Sequence, residues 1–347
     1  MGENNFKNPK YYTNRELSWI LFDHRVLNEA RDKSIPLFER LKFLSITASN
    51  LDEFFMIRVA SLKDMVNARY EKTDIAGMTP SEQLQELGKA IHNLVDLQYS
   101  TWNRSLVPKL AQSGLKLVKC HEELTEKEAA FVDRYFEENV YPVLTPMAVD
   151  SSRPFPLVRN KTLNIAALVQ KKKDKGELEF ATVQVPGVLN RVIELPSEGR
   201  AKKIILLEEM IERNMHKLFL NYDIVCAHPF RVMRNADLTI EEDEAADLLK
   251  EIEKQIKKRQ WGEAIRLEVE AGCDRRLLDI LRRELHIEEE NIYEIDGPLD
   301  LTVCMKLYGL DGFEHLKTPK YIPQQVPELP AGCSIFEKIR EKDILLH

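Results

Sequence analysis

The stretch SITASNLDEFF at residues 45–55 contains the first candidate functional residues of the sequence. Asn50 and Glu53 have the spacing of a capping box, in which the Asn oxygen accepts a backbone N–H and the Glu carboxylate returns to the cap. A side-chain amide with both donor and acceptor could also contact a small molecule. The two interpretations are compatible, because helix N-termini attract phosphate groups. We therefore expect a helix to break at the polar run 47–50 and to restart near Asp52.

Several common catalytic motifs are absent from the sequence, which contains no GxxxxGK(S/T) phosphate loop, no GxGxxG, no GxSxG and no HExxH. The eight histidines show no metal-ligand spacing to one another, so we expect surface or hydrogen-bonded histidines and assign no metal ligand. Basic runs could contact phosphates, although a solvated turn or helix face is the more frequent outcome. These runs are KKKDK at 171–175 and KKR at 257–259. The pairs Arg275–Arg276 and Arg282–Arg283, seven residues apart, would share one helical side as a cationic stripe, although pairing with nearby acids, Glu284 and Glu288 to Glu290, is the simpler interpretation.

Composition narrows the class of protein. The 347 residues carry a net charge of −7, with 44% hydrophobic and 31% charged residues, which is typical of a globular protein and argues against a strongly cationic nucleic-acid binder. No apolar run approaches the ~18 residues of a membrane span, and the polar N-terminus lacks the apolar core of a signal peptide. Five cysteines without a CxxC pair indicate reduced thiols in a cytoplasm.

The first part of the chain, residues 1–110, predicts an all-α helical bundle. Four helices are expected, over 15–31, from Pro36, from about Asp52, and from Thr79, where Thr79 and Glu82 form a capping box around Pro80. Apolar residues follow the helical period along these segments, and the connections between them are short. Such a pattern favours a bundle.

Residues 111–317 predict an α+β domain, which we call the head domain. A second capping box, Thr125 with Glu128, precedes a helix, and a proline-rich loop follows it. Strand-like runs lie at 163–170, 179–185, 223–234 and 263–271, the first two separated by a charged turn typical of a hairpin. Helical segments are expected near 207–220, 243–260 and 273–285. Residues 318–347 predict a proline-rich linker and the truncated start of another region.

Several long blocks of the sequence together resemble the bacterial polyphosphate kinases, the family that forms long-chain polyphosphate from ATP. The block YYTNRELSWILFDHRVLNEARDKSIPLFERLKFLSITASNLDEFFMIRVASLKD resembles the family's amino-terminal domain. The blocks YPVLTPMAVDSSRPFP, PFRVMRNADLTIEEDEAADLL, RLEVEAG and EIDGPLDLTVCMKLYGL resemble its head domain, and FEKIREKDILLH resembles the start of its catalytic region. The resemblance covers nearly the whole chain, in order.

The resemblance implies where the chemistry lies. In the family, the phosphorylated histidine, the magnesium-linked arginines and most nucleotide contacts belong to catalytic domains that would follow this chain, so we assign no catalytic residue here. One nucleotide-binding residue is retained: the Asn of the family's S/N-N-L-D-E-F motif matches Asn50, which we expect to contact ATP. Leu51 and Phe54 could pack against the base, although core burial is the simpler interpretation. His347 matches the first histidine of the catalytic region, not the phosphorylated one, and receives no role.

Two hypotheses of function follow. The first hypothesis is that the chain is part of a polyphosphate kinase, which reversibly transfers the terminal phosphate of ATP to polyphosphate through a phosphohistidine. Its ligands would be ATP or ADP and polyphosphate, with Mg2+ bound elsewhere in the whole enzyme, and its head domain would pair it into a homo-oligomer. We expect no binding to nucleic acid and no transmembrane segment. The protein would be located in the cytoplasm, and peripheral contact with the inner face of the membrane is an open alternative. The alternative is a stand-alone binding or dimerisation module without catalysis.

Overall fold

The computed structural model describes residues 6–149, 155–173, 176–197, 201–236, 262–324 and 326–345. Its first part is helical and its second part is a mixed α/β domain, as the sequence predicts. The helices of the first part are α1 (Arg15–Arg31), α2 (Leu37–Phe54), α3 (Ala60–Asn67), α4 (Pro80–Thr101) and α5 (Val107–Gln112).

The expected helix break at residues 47–50 is wrong. A single rod runs from α2 through a π-helical turn, Phe55–Val59, directly into α3. Asn50 therefore lies inside a helix and caps nothing: its amide donates to a side chain and accepts no backbone N–H. Likewise, α4 continues through a second π-turn, Trp102–Leu106, into α5. The helical part thus contains three rods. The rod that includes α2 stays continuous because burial of the flanking apolar residues outweighs the weak helix propensity of Ser49 and Asn50.

Both predicted capping boxes are present. The Thr79 amide donates to Glu82 Oε2 at 2.8 Å, and the Glu82 amide donates to Thr79 Oγ1 at 3.3 Å. Thr125 and Glu128 repeat the arrangement at the start of α6. Here the local sequence settles the helix start, because side chains within one turn satisfy the first free N–H groups.

The head domain places two sheets and several short helices after the helical rods. The predicted strands at 163–170, 179–185, 223–234 and 263–271 are confirmed, and five further strands of three to five residues were not foreseen. The elements are β1 (Leu115–Leu117), α6 (Glu126–Tyr135), β2 (Met147–Val149), β3 (Leu163–Lys171), β4 (Glu179–Gln184), β5 (Val192–Leu195), β6 (Lys202–Leu206), α7 (Leu207–Arg213), α8 (Met215–Leu218), β7 (Tyr222–Arg234), β8 (Ala264–Glu270), α9 (Arg275–Leu285), β9 (Ile292–Ile295), α10 (Cys304–Tyr308) and α11 (Ile335–Glu341). The helix expected at 243–260, with its KKR run, lies outside the described residues.

The larger sheet has the strand order β2-β4-β3-β7-β8-β9, and the smaller one has the order β1-β6-β5. The predicted hairpin is the antiparallel pair β3–β4, in which Ala167 lies opposite Ala181. All neighbours in the larger sheet are antiparallel except β8 and β9. In the smaller sheet β1 and β6 are parallel, so the segment that directly follows the helical part pairs with a strand far along the head domain.

The larger sheet is buried on both faces. Along β3, Ile165 and Ala167 belong to a core cluster that also contains α2, α4 and α7 residues, while Ala166 and Leu168 pack into a second cluster with the apolar face of α9. A strand covered on both sides needs apolar residues at consecutive positions, not only at alternate ones. The unbroken run LNIAALV satisfies this requirement, and the helical rods share their core with the sheet.

A buried ion cluster joins the helical rods to the sheet. Arg231 on β7 donates from both terminal nitrogens to the Asp52 carboxylate on α2, with Nη1 3.0 Å from Oδ1, and Nη1 also lies 3.0 Å from Glu268 Oε2 on β8. Arg266 completes the cluster through Glu268 Oε1 at 2.7 Å. All four side chains are buried. Burial disfavours the charge on Arg231, but Asp52 and Glu268 outweigh that effect, so the pKa of Arg231 is raised.

A polar pair lies between α1 and α2. Asn50 Nδ2 donates to Asp23 Oδ1 at 2.9 Å, and one turn along, the rings of Trp19 and Phe54 stack with centroids 4.3 Å apart. Asp23 is fully buried, and its other oxygen, Oδ2, has no partner among the described residues. Burial raises the pKa of the Asp23 carboxyl from 3.8 to about 7, against the opposing effect of the Asn50 hydrogen bond.

The ion cluster makes a stability prediction for Asp52→Ala. Removing one partner leaves Arg231 buried with a single carboxylate, which we expect to cost about 3–5 kcal/mol in the free energy of unfolding. Glu53→Ala, at the exposed neighbouring position, is the matched control and should change it by no more than ~0.5 kcal/mol. Urea unfolding followed by tryptophan fluorescence measures both. Equal effects of the two substitutions would contradict a role for the cluster in joining the domains.

Asp23 makes a pH prediction. A carboxyl whose pKa is higher in the folded state binds its proton more tightly there, so its stabilising contribution is complete below about pH 4 and is lost as pH rises through 7. Between about pH 5 and pH 8, the free energy of unfolding should therefore fall by about 2–3 kcal/mol more in the wild type than in Asp23→Asn. Denaturant titrations at both pH values test this. Asp311→Asn, at an exposed aspartate, should follow the wild type.

Candidate functional site

Asn50, the one site residue expected from the sequence, is half-buried on α2 beside two exposed residues, Ser49 and Glu53. One of its amide hydrogens is committed to Asp23. Its carbonyl oxygen and second N–H have no partner among the described residues, so one acceptor and one donor remain available side by side. This pair matches the hydrogen-bonding edge of a nucleobase better than it matches a phosphate, which only accepts.

Leu51 and Phe54 are not available to stack on a base. Each is only 2% exposed, and Phe54 is already stacked on Trp19. The interpretation of both residues as core is confirmed. A ligand at Asn50 would therefore meet a polar edge of α2, and any apolar surface that stacks on its base must come from elsewhere.

The π-turn that follows the motif has a packing role. It brings Phe55 into an edge contact with Tyr293 of β9, with centroids 6.1 Å apart, and the Arg266 guanidinium lies 4.7 Å from the Phe55 ring and 4.2 Å from the Tyr293 ring. A backbone hydrogen bond also connects the π-turn to the head domain, since the Ala236 amide donates to the Met56 carbonyl at 3.0 Å. The segment after Asn50 is thus held to the head domain on several sides, and the position of Asn50 is fixed.

The surroundings of Asn50 do not suit a magnesium ion. Mg2+ prefers ionised carboxylates with several bound waters in octahedral geometry. Asp23, the carboxyl bonded to Asn50, is fully buried, and its raised pKa of about 7 opposes ionisation. Asn50 and Asp23 therefore do not fit a magnesium site.

One group of side chains in the head domain could hold a cation. Potential ligand atoms of Glu212 on α7, His228 on β7 and Glu270 on β8 all lie within 4.8 Å of one another. His228 Nδ1 is already 2.8 Å from Glu270 Oε2, so these two form a hydrogen bond without any ion. Burial, with neighbouring carboxylates, raises the pKa of Glu212 to about 9. The histidine spacing in the sequence does not indicate this possible cation site, because its three residues come from separate segments of the chain.

The remaining candidates from the sequence have ordinary surroundings. All five cysteines are free, as expected, and burial raises the pKa of Cys273 to about 12, so its thiol stays protonated. Arg276 pairs with Asp274 at 2.7 Å and Arg282 with Glu289 at 3.4 Å, so the interpretation of these arginines as paired with acids is confirmed. No helix among the described residues is long and apolar enough to cross a membrane. His347 lies outside the described residues.

Two residues that organise this region were missed by sequence reasoning, although a signal existed for each. Asp23 occupies the apolar face of α1 between Ile20 and Leu27, where a carboxyl needs a partner. Arg231 stands inside the apolar run of β7 and requires an acid for the same reason. A charged residue at a core position therefore predicts a partner, but not which one.

Two family models match the chain. The polyphosphate kinase N-terminal domain matches residues 12–118, and the polyphosphate kinase middle domain matches residues 127–307. A polyphosphate kinase of Bacillus anthracis is 47% identical over an alignment of 350 positions that covers 99% of this chain and 50% of that protein. One of Lactiplantibacillus plantarum is 47% identical over 343 residues, covering 99% of this chain and 47% of the relative. The chain thus spans about half the length of the curated relatives it matches.

A solved structure agrees with this assignment at the level of the fold. The crystal structure of polyphosphate kinase from Porphyromonas gingivalis matches with a TM-score of 0.77, covering 96% of this chain and 46% of that one at 24% sequence identity. At that identity the match shows the fold alone. The family models cover both the helical part and the head domain, and together with the relatives they show that the chain belongs to the polyphosphate kinase family.

Proposed function

We propose that this chain is the part of a polyphosphate kinase that supplies one wall of the ATP pocket and the self-associating head domain. The observation that carries the proposal is the free donor–acceptor edge of Asn50 on a helix fixed to the head domain by Asp52 and Arg231. Membership of the polyphosphate kinase family favours ATP and polyphosphate as the substrates. The proposed reaction is reversible transfer of the terminal phosphate of ATP to a polyphosphate chain.

The chemical step would use groups outside this chain. A histidine nitrogen would bond to the γ-phosphorus as the bond to the departing ADP oxygen breaks. A terminal polyphosphate oxygen would then displace the histidine, so that one transfer becomes two covalent steps. Magnesium and arginines would offset the charge of the transferred group in the whole enzyme. The role of this chain is binding and orientation of the nucleotide.

Asn50 would orient the base through two hydrogen bonds. The bond to Asp23 fixes the amide plane, so the free oxygen and N–H keep their direction before ATP arrives. Preorganisation of this kind lowers the entropy lost on binding. Because Asn50 acts on the base and not on the reacting phosphate, its removal should affect ATP binding more than the maximal rate.

We predict that Asn50→Ala in the full-length enzyme raises the KM for ATP by roughly 3–10-fold with little change in kcat, which is the effect of one or two neutral hydrogen bonds. Substitution by Asp is a poor probe, because it would place a second carboxyl against buried Asp23. Asp23→Ala is the matched control: it loses the same internal bond but retains the Asn50 amide, so its KM should change less. Steady-state kinetics with varied ATP measure both. An unchanged KM in Asn50→Ala would refute the contact with ATP.

We also predict that the 347-residue chain alone is a dimer without kinase activity. The dimer is expected through the head domain, where large apolar side chains such as Leu157, Val188 and Leu220 are 60%, 84% and 70% exposed. Light scattering should give twice the 40.3 kDa chain mass, and incubation with ATP, Mg2+ and a polyphosphate primer should give no product. A monomer at micromolar concentration would overturn the first expectation, and polyphosphate synthesis by the chain alone the second.

A further inference from the structure

An open cavity of about 490 Å³ lies beside the N-terminus of α2. Its walls come from the loop before α2, from the end of α5 and from the segment around His315. No carboxylate lines it, whereas Lys33, Arg40 and Lys109 do. The cavity, which we call the Arg40 cavity, therefore concentrates positive charge in one place.

Arg40 is the unusual member of this set because it is only 1% exposed and forms no ion pair with a described residue, although Asp32 attracts it from a longer distance. Its Nε donates to the Ala30 carbonyl at 2.8 Å, and Nη2 donates to Ser105 Oγ at 2.7 Å. Both acceptors are neutral, and no carboxylate of the described residues lies within 4 Å of the guanidinium. Buried Arg231, by contrast, has two carboxylates. Since burial of a charge is costly and Asp32 forms no ion pair with Arg40, the guanidinium offers a place for a closer anion from outside the chain.

The lysines strengthen this indication. Lys33 is exposed and Lys109 is half-buried, and neither has a carboxylate partner among the described residues. The nearest acid in sequence, Asp32, does not line the cavity and accepts a hydrogen bond from the Ser34 amide at 2.8 Å. Three cations thus line one cavity, while Asp32, the acid that attracts Arg40, stands outside that lining. Such an arrangement costs mutual repulsion among the three cations unless an anion binds.

The start of α2 adds backbone donors. Pro36 precedes the 18-residue helix and provides no side-chain cap. Glu39, in the third position, does not return to the cap: its carboxylate accepts from Tyr308 and from the Thr318 amide, each at 3.1 Å. The first N–H groups of α2 therefore have no capping side chain, and the positive end of the helix dipole points toward the same region as the cations.

We propose that the Arg40 cavity binds the phosphate groups of a condensed phosphate. The guanidinium would donate through the N–H groups that Ala30 and Ser105 leave free, the lysines would act as point charges, and the helix amides would cradle one phosphate. A single phosphate group carries about −1.5 to −2 charges near pH 7, fewer than the three cations, so a short phosphate chain fits the charge better. The cavity lies ten residues from Asn50, about 15 Å along α2, so it goes beyond the proposed nucleotide contact.

The test uses isothermal titration of the 347-residue chain at low salt with tripolyphosphate, orthophosphate and ATP. The variant is Lys33→Gln with Lys109→Gln. The control is Lys116→Gln with Lys320→Gln, which has the same net charge as the variant but replaces two exposed lysines outside the cavity. We expect saturable binding of one tripolyphosphate, weakened at least ~10-fold in the variant and less than ~2-fold in the control. Amide resonances of residues 37–39 should shift during the titration in the wild type and not in the variant.

Each other outcome overturns the proposal. Absence of saturable tripolyphosphate binding would mean that Arg40 serves only to cap the end of α1 through Ala30. Equal losses in variant and control would mean diffuse attraction by surface charge. Binding of ATP much more tightly than tripolyphosphate, with the ATP affinity lost in the Lys33→Gln and Lys109→Gln variant, would assign the cavity to a nucleotide. Because binding is measured directly on this chain, the result is independent of the kinetic test of Asn50.

Discussion

The buried contact between Asp52 and Arg231 is the interaction on which the arrangement of this chain depends. It joins α2 to the centre of the larger sheet through a bidentate, charge-assisted pair in a region without solvent. Two residues along an α-helix are about 200° apart around the axis. When Asp52 faces the sheet, Asn50 must therefore face away from it, toward α1. The ion pair sets the rotation of α2 and so decides what the amide of Asn50 can reach.

The rest of the fold supports this rotation. The sheet is covered on one face by a core shared with the helical rods and on the other by α9, so neither face is free to shift. The chain also returns from the sheet to the rods: Tyr99 donates to the Pro298 carbonyl at 3.0 Å, and Asn103 to that of Asp296 at 2.6 Å. The helical part and the head domain are thus two domains by sequence pattern that share a continuous core.

Much of the fold could be predicted from sequence because the relevant physics is local. The Thr79–Glu82 box depends on atoms within one turn, and the β3–β4 hairpin on two apolar runs around a charged turn. The short strands β1, β5 and β6 could not be predicted, since three to five residues carry no periodicity and their pairing joins distant segments. Arg231, the partner of Asp52, lies 179 positions away along the chain. No local pattern specifies such a pair.

The position of Asn50 inside a continuous helix changes where α2 has free backbone N–H groups. A capping Asn would have offered free backbone N–H groups to a phosphate at residues 51–53. In the continuous helix those N–H groups are bonded within α2, and only the side-chain amide remains, which favours a base over a phosphate. The free helix end lies instead at Pro36 and Leu37, beside Arg40 and Lys109. The two kinds of recognition that one motif suggested are thus separated along a single helix, with the hydrogen-bonding edge at its middle and the positive charge at its start.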